Sequence, residues 1–220
     1  MVVVLATNIN TISVSSIEYI KENIKDLLPV DKYREIISYN DYKDICRSVL
    51  GIALVKVYLN ICEYRIDSKL KYTDGKPEIC GAGIEFNISH SGNWVTCAYS
   101  KNKIGVDIEK KNYSERVLER CFNETEKKYI KQSHNYEKMM NNYTKSWTIK
   151  ESYIKYLGIG LRYGMKKFLI NYDEEIIEDG TDSVCFFSKE FDSDYFLSVC
   201  CKARERVEIV KVDEQSLLNI

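Results

Sequence analysis

The chain is poor in the features that would bind a soft metal, cross a membrane or grip nucleic acid by bulk charge. Its 32 Lys and Arg against 33 Asp and Glu leave a net charge of −1. No global field therefore draws nucleic acid, and any phosphate recognition must come from a local cluster. The eight cysteines are Cys46, Cys62, Cys80, Cys97, Cys121, Cys185, Cys200 and Cys201, and none forms a C-x-x-C pair, which argues against a zinc site. Cys97, Cys185 and Cys200 lie in apolar runs and read as small packed hydrophobes in a reduced, cytoplasmic protein. No apolar run approaches the ~20 residues of a membrane span. Met1 to Ala6 lacks a basic stretch and is too short for a signal core, so it reads as a strand. No G-x-x-x-x-G-K-[ST] motif occurs, which excludes a P-loop.

What is present is ordinary for a globular protein: 220 residues, 30% charged and 45% hydrophobic. A chain of this length buries roughly 70% of its unfolded surface and needs no staples to fold. Ser15-Ser16-Ile17-Glu18 fits a capping box, with Ile17, Ile20, Ile24 and Leu27 at helical spacing and Pro29 as the stop. Further helices are expected from Asp31 to Ile37 and from Asp41 to Leu59. Lys71 to Gly83 reads as loop, with Asp74-Gly75 as a turn and Pro77 behind it. Strands are expected at Gly83 to Ile88, Trp94 to Tyr99 and Lys103 to Glu109, with Asn102 in a tight turn between the last two. Asn123-Glu124-Thr125-Glu126 has the form of an N-cap with Glu at N3. A long helix should end near Leu157, with Gly158 as its stop. Late strands are expected at Val184 to Ser188, Tyr195 to Cys201 and Arg206 to Val212. The rhythm of strand, helices and strands runs roughly twice, without a residue-level repeat. That predicts an α+β protein of two similar halves, 1–101 and 102–220. The polar stretch from Lys110 to Asn142 reads either as a mobile arm or as solvated helix.

Two stretches of opposite geometry carry the chemistry. Ile104-Gly105-Val106-Asp107-Ile108-Glu109 alternates, so Asp107 and Glu109 share one strand face, with Cα atoms roughly 6.6 Å apart. Two carboxylates held there repel each other unless a cation intervenes; otherwise they merely decorate a solvent face. Trp147-Thr148-Ile149-Lys150-Glu151-Ser152-Tyr153-Ile154-Lys155 has helical spacing and lines up Trp147, Glu151 and Lys155. A purely structural reading makes Glu151 and Lys155 an i,i+4 ion pair worth only ~0.3–0.5 kcal/mol and Trp147 a core residue. The polar residues Lys150, Glu151, Ser152 and Lys155 nevertheless interrupt a helix that would otherwise be buried. Three carboxylates with a lysine one turn beyond suit a hard cation holding phosphate oxygens. Phe86-Asn87-Ile88-Ser89-His90-Ser91 ends a strand with hydroxyls and an imidazole. Adjacent strand side chains diverge, which disfavours a Ser–His dyad; a phosphate contact suits the set better. Gly75-Lys76-Pro77 adds a lysine on a stiffened turn.

In this order, Gly75-Lys76-Pro77, Phe86 to Ser91, Ile104 to Glu109 and Trp147 to Leu161 resemble the 4′-phosphopantetheinyl transferases, specifically the long type with two fused halves. The resemblance runs from Gly75 to Leu161 and is faint outside it. It implies a pseudo-twofold α+β fold, each half a small mainly antiparallel sheet packed against helices, with coenzyme A between the halves. It implies magnesium-dependent transfer of the phosphopantetheine arm of coenzyme A to a serine of an apo acyl or peptidyl carrier protein, releasing adenosine 3′,5′-bisphosphate. By the same resemblance Asp107, Glu109 and Glu151 match magnesium ligands, and His90 and Lys155 match phosphate-contacting positions. Ser89 and Lys76 match coenzyme A contacts. Arg47 resembles, more loosely, an arginine that pairs with the 3′-phosphate. The polar region near Phe122 corresponds to the carrier-docking arm. Ser152-Tyr153 stands where many relatives have Ala or Ser-Phe, a conservative change. In this scheme Lys155 and His90 stabilise non-bridging oxygens, and Glu151, directly or through a bound water, or else Glu109, is the base. Fused halves make a monomer sufficient, with no nucleic-acid or membrane partner. Two other classes use the same residues: a magnesium-dependent phosphohydrolase, and a non-catalytic protein that binds coenzyme A or a carrier.

Overall fold

The computed structural model describes residues 1–64, 69–73, 75–79, 83–160, 163–180 and 182–220. Asp74, Cys80 and Leu161, which enter the sequence reading, lie outside the described residues. In chain order the elements are β1 (Val2–Asn8), α1 (Val14–Ile24), α2 (Val30–Ile37), α3 (Tyr42–Ile61), β2 (Lys71–Thr73), β3 (Lys76–Glu78), β4 (Glu85–Ser91), β5 (Trp94–Ser100) and β6 (Ile104–Lys110). There follow α4 (Glu115–Cys121), α5 (Glu124–Lys131), α6 (Tyr136–Leu157), β7 (Leu169–Asn171), β8 (Ile176–Asp179), β9 (Asp182–Phe191), β10 (Tyr195–Cys201), β11 (Val207–Lys211) and α7 (Glu214–Leu218). The chain is a mixed α/β protein with sheets packed against helices. It divides into two compact units, one of residues 1–101 with 207–220 and one of residues 102–206.

In the first unit the sheet order is β11-β1-β5-β4. β1 runs parallel to β11 and antiparallel to β5, and β4 and β5 form a hairpin in which Ser91 pairs with Trp94. The helix α3 starts where Asp41 accepts the Lys43 N–H at 2.8 Å. Val49, Leu50, Ala53, Leu54 and Val55 are completely buried in the core beneath it. Each of the Val and Leu side chains contributes about 1.5–3 kcal/mol of burial, and a helix this apolar on most sides is a buried helix.

Three readings are corrected here. The cap of α1 is Ser13, whose hydroxyl accepts the Ser16 N–H at 3.2 Å, so the helix begins before Ser15-Ser16-Ile17-Glu18; Glu18 pairs with Lys21 instead. The stretch expected as loop after Lys71 contains the short antiparallel pair β2 and β3, with Thr73 opposite Lys76. Residues 207–220, assigned by rhythm to the second half, belong to the first unit because β11 completes the β1 edge and Val212 donates its N–H to the Ala6 carbonyl at 2.8 Å.

The second unit holds the sheet β6-β10-β9-β8-β7, antiparallel throughout. The short strands β7 and β8 were not foreseen. The helix α6 is capped by Asn135, which accepts the Lys138 N–H at 3.0 Å, and stops at Gly158, whose φ of 76° only glycine adopts without cost. Ile149, Tyr153, Ile154 and Tyr156 pack with Phe168, Val184, Phe186 and Cys200. The polar residues of α6 are paired rather than misplaced: Thr148 Oγ1 lies 2.7 Å from Ser198 Oγ, and Ser152 Oγ lies 3.0 Å from Cys200 Sγ. The polar stretch between β6 and α6 is helical, laced by ion pairs of Lys127 with Glu119 and Glu124 and of Lys131 with Glu115. Cys97 and Cys200 are fully buried, as read from their apolar runs, while Cys185 is half-buried. No helix among the described residues is long and apolar enough to cross a membrane.

Candidate active site

The acidic strand and the polar helix meet in the second unit, and a glycine makes the meeting possible. A Cβ at Gly105 would stand 2.0 Å from the Ser152 carbonyl oxygen and 2.4 Å from the Tyr156 nitrogen. The backbone of α6 therefore lies directly against β6. Strand periodicity puts Gly105, Asp107 and Glu109 on one face, so both acids look toward α6. Val106 and Ile108 fill the core on the other face with no exposure. Asp107 is itself only 3% exposed, which rules out the solvent-face alternative. A glycine inside a strand marks close backbone approach; that signal was present in the motif and was read only as strand.

From the helix, Lys155 Nζ donates to Asp107 Oδ1 at 2.7 Å. The lysine thus pairs across to the strand acid. Glu151 is half-buried on the same side. Burial pushes its carboxyl up to about 7, and the negative charges of Asp107 and Glu109 add to the rise while Lys155 opposes it. The three acids therefore act on one another electrostatically. Among the described residues no group of three or more His, Cys, Asp or Glu side chains stands close enough to hold a metal ion as placed. The positive charge against Asp107 is supplied by the Lys155 ammonium. As a donor set, three carboxylates are hard oxygen ligands of the kind magnesium or manganese takes, and their mutual repulsion is what a divalent cation relieves.

The other predicted residues lie in the first unit. Arg47 on α3 donates to the Gly92 carbonyl at 2.9 Å and pairs with Asp44 at 2.6 Å. That holds its guanidinium beside the β4–β5 turn, at the end of β4 that carries Ser89 and His90. Ser89 is buried and His90 exposed. Lys76 is not brought to that end. It pairs at 3.9 Å with Glu85, at the start of β4, five residues and roughly 17 Å along the strand from His90. A concave pocket lined by Lys76, Pro77, Glu78, Ile79, Ile84, Glu85 and Phe86 adjoins it. Trp147, expected in the core, is half-buried, its ring 6.3 Å from that of Phe122.

A family profile described as the 4′-phosphopantetheinyl transferase superfamily matches residues 103–207, the stretch that contains Asp107, Glu109, Glu151 and Lys155. The chain is 32% identical over 201 residues to the 4′-phosphopantetheinyl transferase gsp of Aneurinibacillus migulanus, covering 86% of this chain and 84% of that one. This chain belongs to the 4′-phosphopantetheinyl transferase family. Two further family members are similar over most of their length. The transferase Sfp of Bacillus subtilis (strain 168) is 30% identical over 190 residues, 81% of this chain and 84% of its own. The transferase ffp of Bacillus subtilis is 30% identical over 215 residues, 90% and 92% of the respective chains. Membership makes the chain a transferase, and the family-matched stretch includes the acids of β6 and Glu151 and Lys155 of α6.

Proposed function

We propose that the protein transfers the 4′-phosphopantetheine arm of coenzyme A to a serine hydroxyl of an acyl or peptidyl carrier protein. What supports this reading is that Lys155 of α6 pairs with Asp107 of β6 and that Glu151 feels the charges of Asp107 and Glu109, where α6 lies on Gly105. The named transferases similar over most of the chain support the same reading. In it, the serine oxygen bonds to the phosphorus that bears the pantetheine arm, the diphosphate bridge breaks, and adenosine 3′,5′-bisphosphate leaves. Asp107, Glu109 and Glu151 would hold magnesium, which neutralises charge on the diphosphate when bound. Lys155 and His90 stabilise non-bridging oxygens through charge and hydrogen bonding. Glu151, directly or through a bound water, or else Glu109, takes the serine proton. The reading assigns Arg47, Lys76, Ser89 and His90 of the first unit to the phosphates and nucleotide of coenzyme A, as the pseudo-twofold plan of the family implies. It needs neither a second copy nor a membrane, and it places the enzyme in the cytoplasm, where coenzyme A and carrier proteins meet.

The test is incubation with magnesium, coenzyme A and a panel of apo carrier proteins, read by intact mass. The expected result is a carrier heavier by one phosphopantetheine group, dependent on magnesium. Consumption of coenzyme A without a carrier would favour a phosphohydrolase, and carrier binding with no mass gain a binding protein; either would refute the proposal.

A further inference from the structure

A second charged constellation lies one residue from Glu151, outside the chemistry described so far. Lys150 and Glu126 are both completely buried, with Lys150 Nζ 2.9 Å from Glu126 Oε1. The same ammonium donates to the carbonyls of Met165 at 2.7 Å and Phe168 at 3.4 Å. An ammonium has three N–H groups, and all three are used. It also stands 4.3 Å from the centroid of the Phe168 ring. Glu126 is equally occupied: Oε2 accepts the Asn123 N–H at 2.8 Å and Oε1 the Ile170 N–H at 3.2 Å. One ion pair thus ties α6 to the start of α5 and to the segment from Met165 to Ile170.

A buried ion pair is poor evidence for stability, since desolvation offsets most of the attraction, so its value is sought in geometry. On the sheet side α6 rests its backbone on Gly105 and is held by Thr148 to Ser198, Ser152 to Cys200 and Lys155 to Asp107. The Lys150 to Glu126 pair adds a restraint from α5 and the Met165 to Ile170 segment, at the position next to Glu151. Lys150 and Glu151 are neighbours about 100° apart around the helix, so holding one sets the direction of the other. With side-chain heads roughly 5–6 Å from the axis, a 10° rotation of α6 shifts the Glu151 carboxylate by about 1 Å. An error of that size in a reacting group costs about a hundredfold in rate.

We infer that Glu126 and Lys150 are a positioning pair that fixes the rotation of α6 and so aims Glu151 at Asp107 and Glu109. This rests on the proposed role of Glu151 as a divalent-cation ligand. The experiment compares the wild type with Lys150→Met/Glu126→Gln, Glu126→Gln and Glu151→Gln. The double variant removes both buried charges together and keeps one amide oxygen, enough for either the Asn123 or the Ile170 N–H but not both. Folding is followed by circular dichroism and melting, and Mn²⁺ alone is titrated by electron paramagnetic resonance. Transfer kinetics are measured on the same samples. The expected result is a folded double variant whose Mn²⁺ dissociation constant rises at least tenfold and whose kcat falls about a hundredfold, with KM for coenzyme A unchanged. Glu126→Gln should shift both in the same direction by a smaller factor. Folded pair variants with wild-type Mn²⁺ affinity and kcat would overturn the inference. So would failure of both to fold while Glu151→Gln folds normally, since that would assign the pair to stability alone. If Glu151→Gln itself binds Mn²⁺ like the wild type, the metal reading fails instead, and with it the basis for aiming Glu151.

Discussion

Replacing Gly105 by Ala separates the cost of a misplaced helix from the cost of a missing side chain, because it deletes no group at all. The added Cβ would lie 2.0 Å from the Ser152 carbonyl oxygen, 2.4 Å from the Tyr156 nitrogen and 2.9 Å from the Tyr156 Cα. All three are backbone atoms, so no rotamer change relieves the clash. A carbon and a carbonyl oxygen sit at about 3.3 Å or more, so α6 must retreat from β6 by about 1.3 Å. The Lys155 to Asp107 contact, now 2.7 Å, would open to about 4 Å, beyond hydrogen-bonding range.

The stability term is modest by comparison. Overpacking costs about 1–3 kcal/mol, and removing a glycine from the unfolded chain returns about 0.4–1 kcal/mol. The net loss is about 1–2 kcal/mol, or a fall in Tm of about 2–8 °C for a chain of this size. A retreat of more than 1 Å between the acids and Glu151 should lower transfer at least a hundredfold. The assay is carrier mass gain at fixed coenzyme A and magnesium, with melting measured on the same sample. A folded Gly105→Ala protein within about threefold of wild-type activity would refute the argument that close backbone approach assembles the site.

Asp107→Ala and Glu151→Ala should each abolish transfer while circular dichroism stays unchanged, and full activity of either by intact mass would refute the metal assignment. His90→Ala should weaken coenzyme A binding by about three- to tenfold, in line with one lost phosphate hydrogen bond of ~1 kcal/mol, and unchanged affinity by calorimetry would remove His90 from the site. Cys62 is exposed, whereas Cys97 and Cys200 are buried with thiols pushed up by desolvation. A thiol reagent at neutral pH should therefore label Cys62 before Cys97 and Cys200, and reach those two only on denaturation, as peptide mapping would report. Gly51→Ala in α3 places a Cβ 3.0 Å from a methyl of Ile88; because that methyl belongs to a side chain and the helix gains propensity, Tm should change by no more than about 3 °C.

What the sequence made legible was periodicity. The alternation of β6 and the helical stripe of α6 placed Asp107, Glu109, Glu151 and Lys155 on the correct elements and faces, because those periods are fixed by covalent geometry. The parallel pairing of β1 with β11 was not legible, since nothing local in Val207 to Lys211 says which sheet it joins. The start of α1 was misread for a related reason: Ser13 and Ser15 are equally good caps by composition, and the choice falls to Ser13, which also donates its backbone N–H to Glu214 at 2.8 Å from the far end of the chain. The Glu126 to Lys150 pair was half legible. Glu126 was recognised as the third residue of a cap, but a cap needs only one carboxylate oxygen, and the partner of the other comes from tertiary packing.

Lys155 carries two assignments that might be thought exclusive, as the ion-pair partner of Asp107 and as a phosphate contact. An ammonium has three N–H groups, so pairing with Asp107 does not by itself exclude a phosphate contact. A lysine held at one donor is better placed to meet an incoming phosphate oxygen than a free one, because the rotamer entropy of up to about 2 kcal/mol that a long side chain loses on ordering has already been spent on the ion pair. Asp107 would then serve twice, once through its negative charge and once by aiming the lysine one turn beyond Glu151. Asp107 is almost completely buried because it stands two residues from Gly105, where the α6 backbone lies against β6, while Glu109, two residues further along the same face, is half-buried.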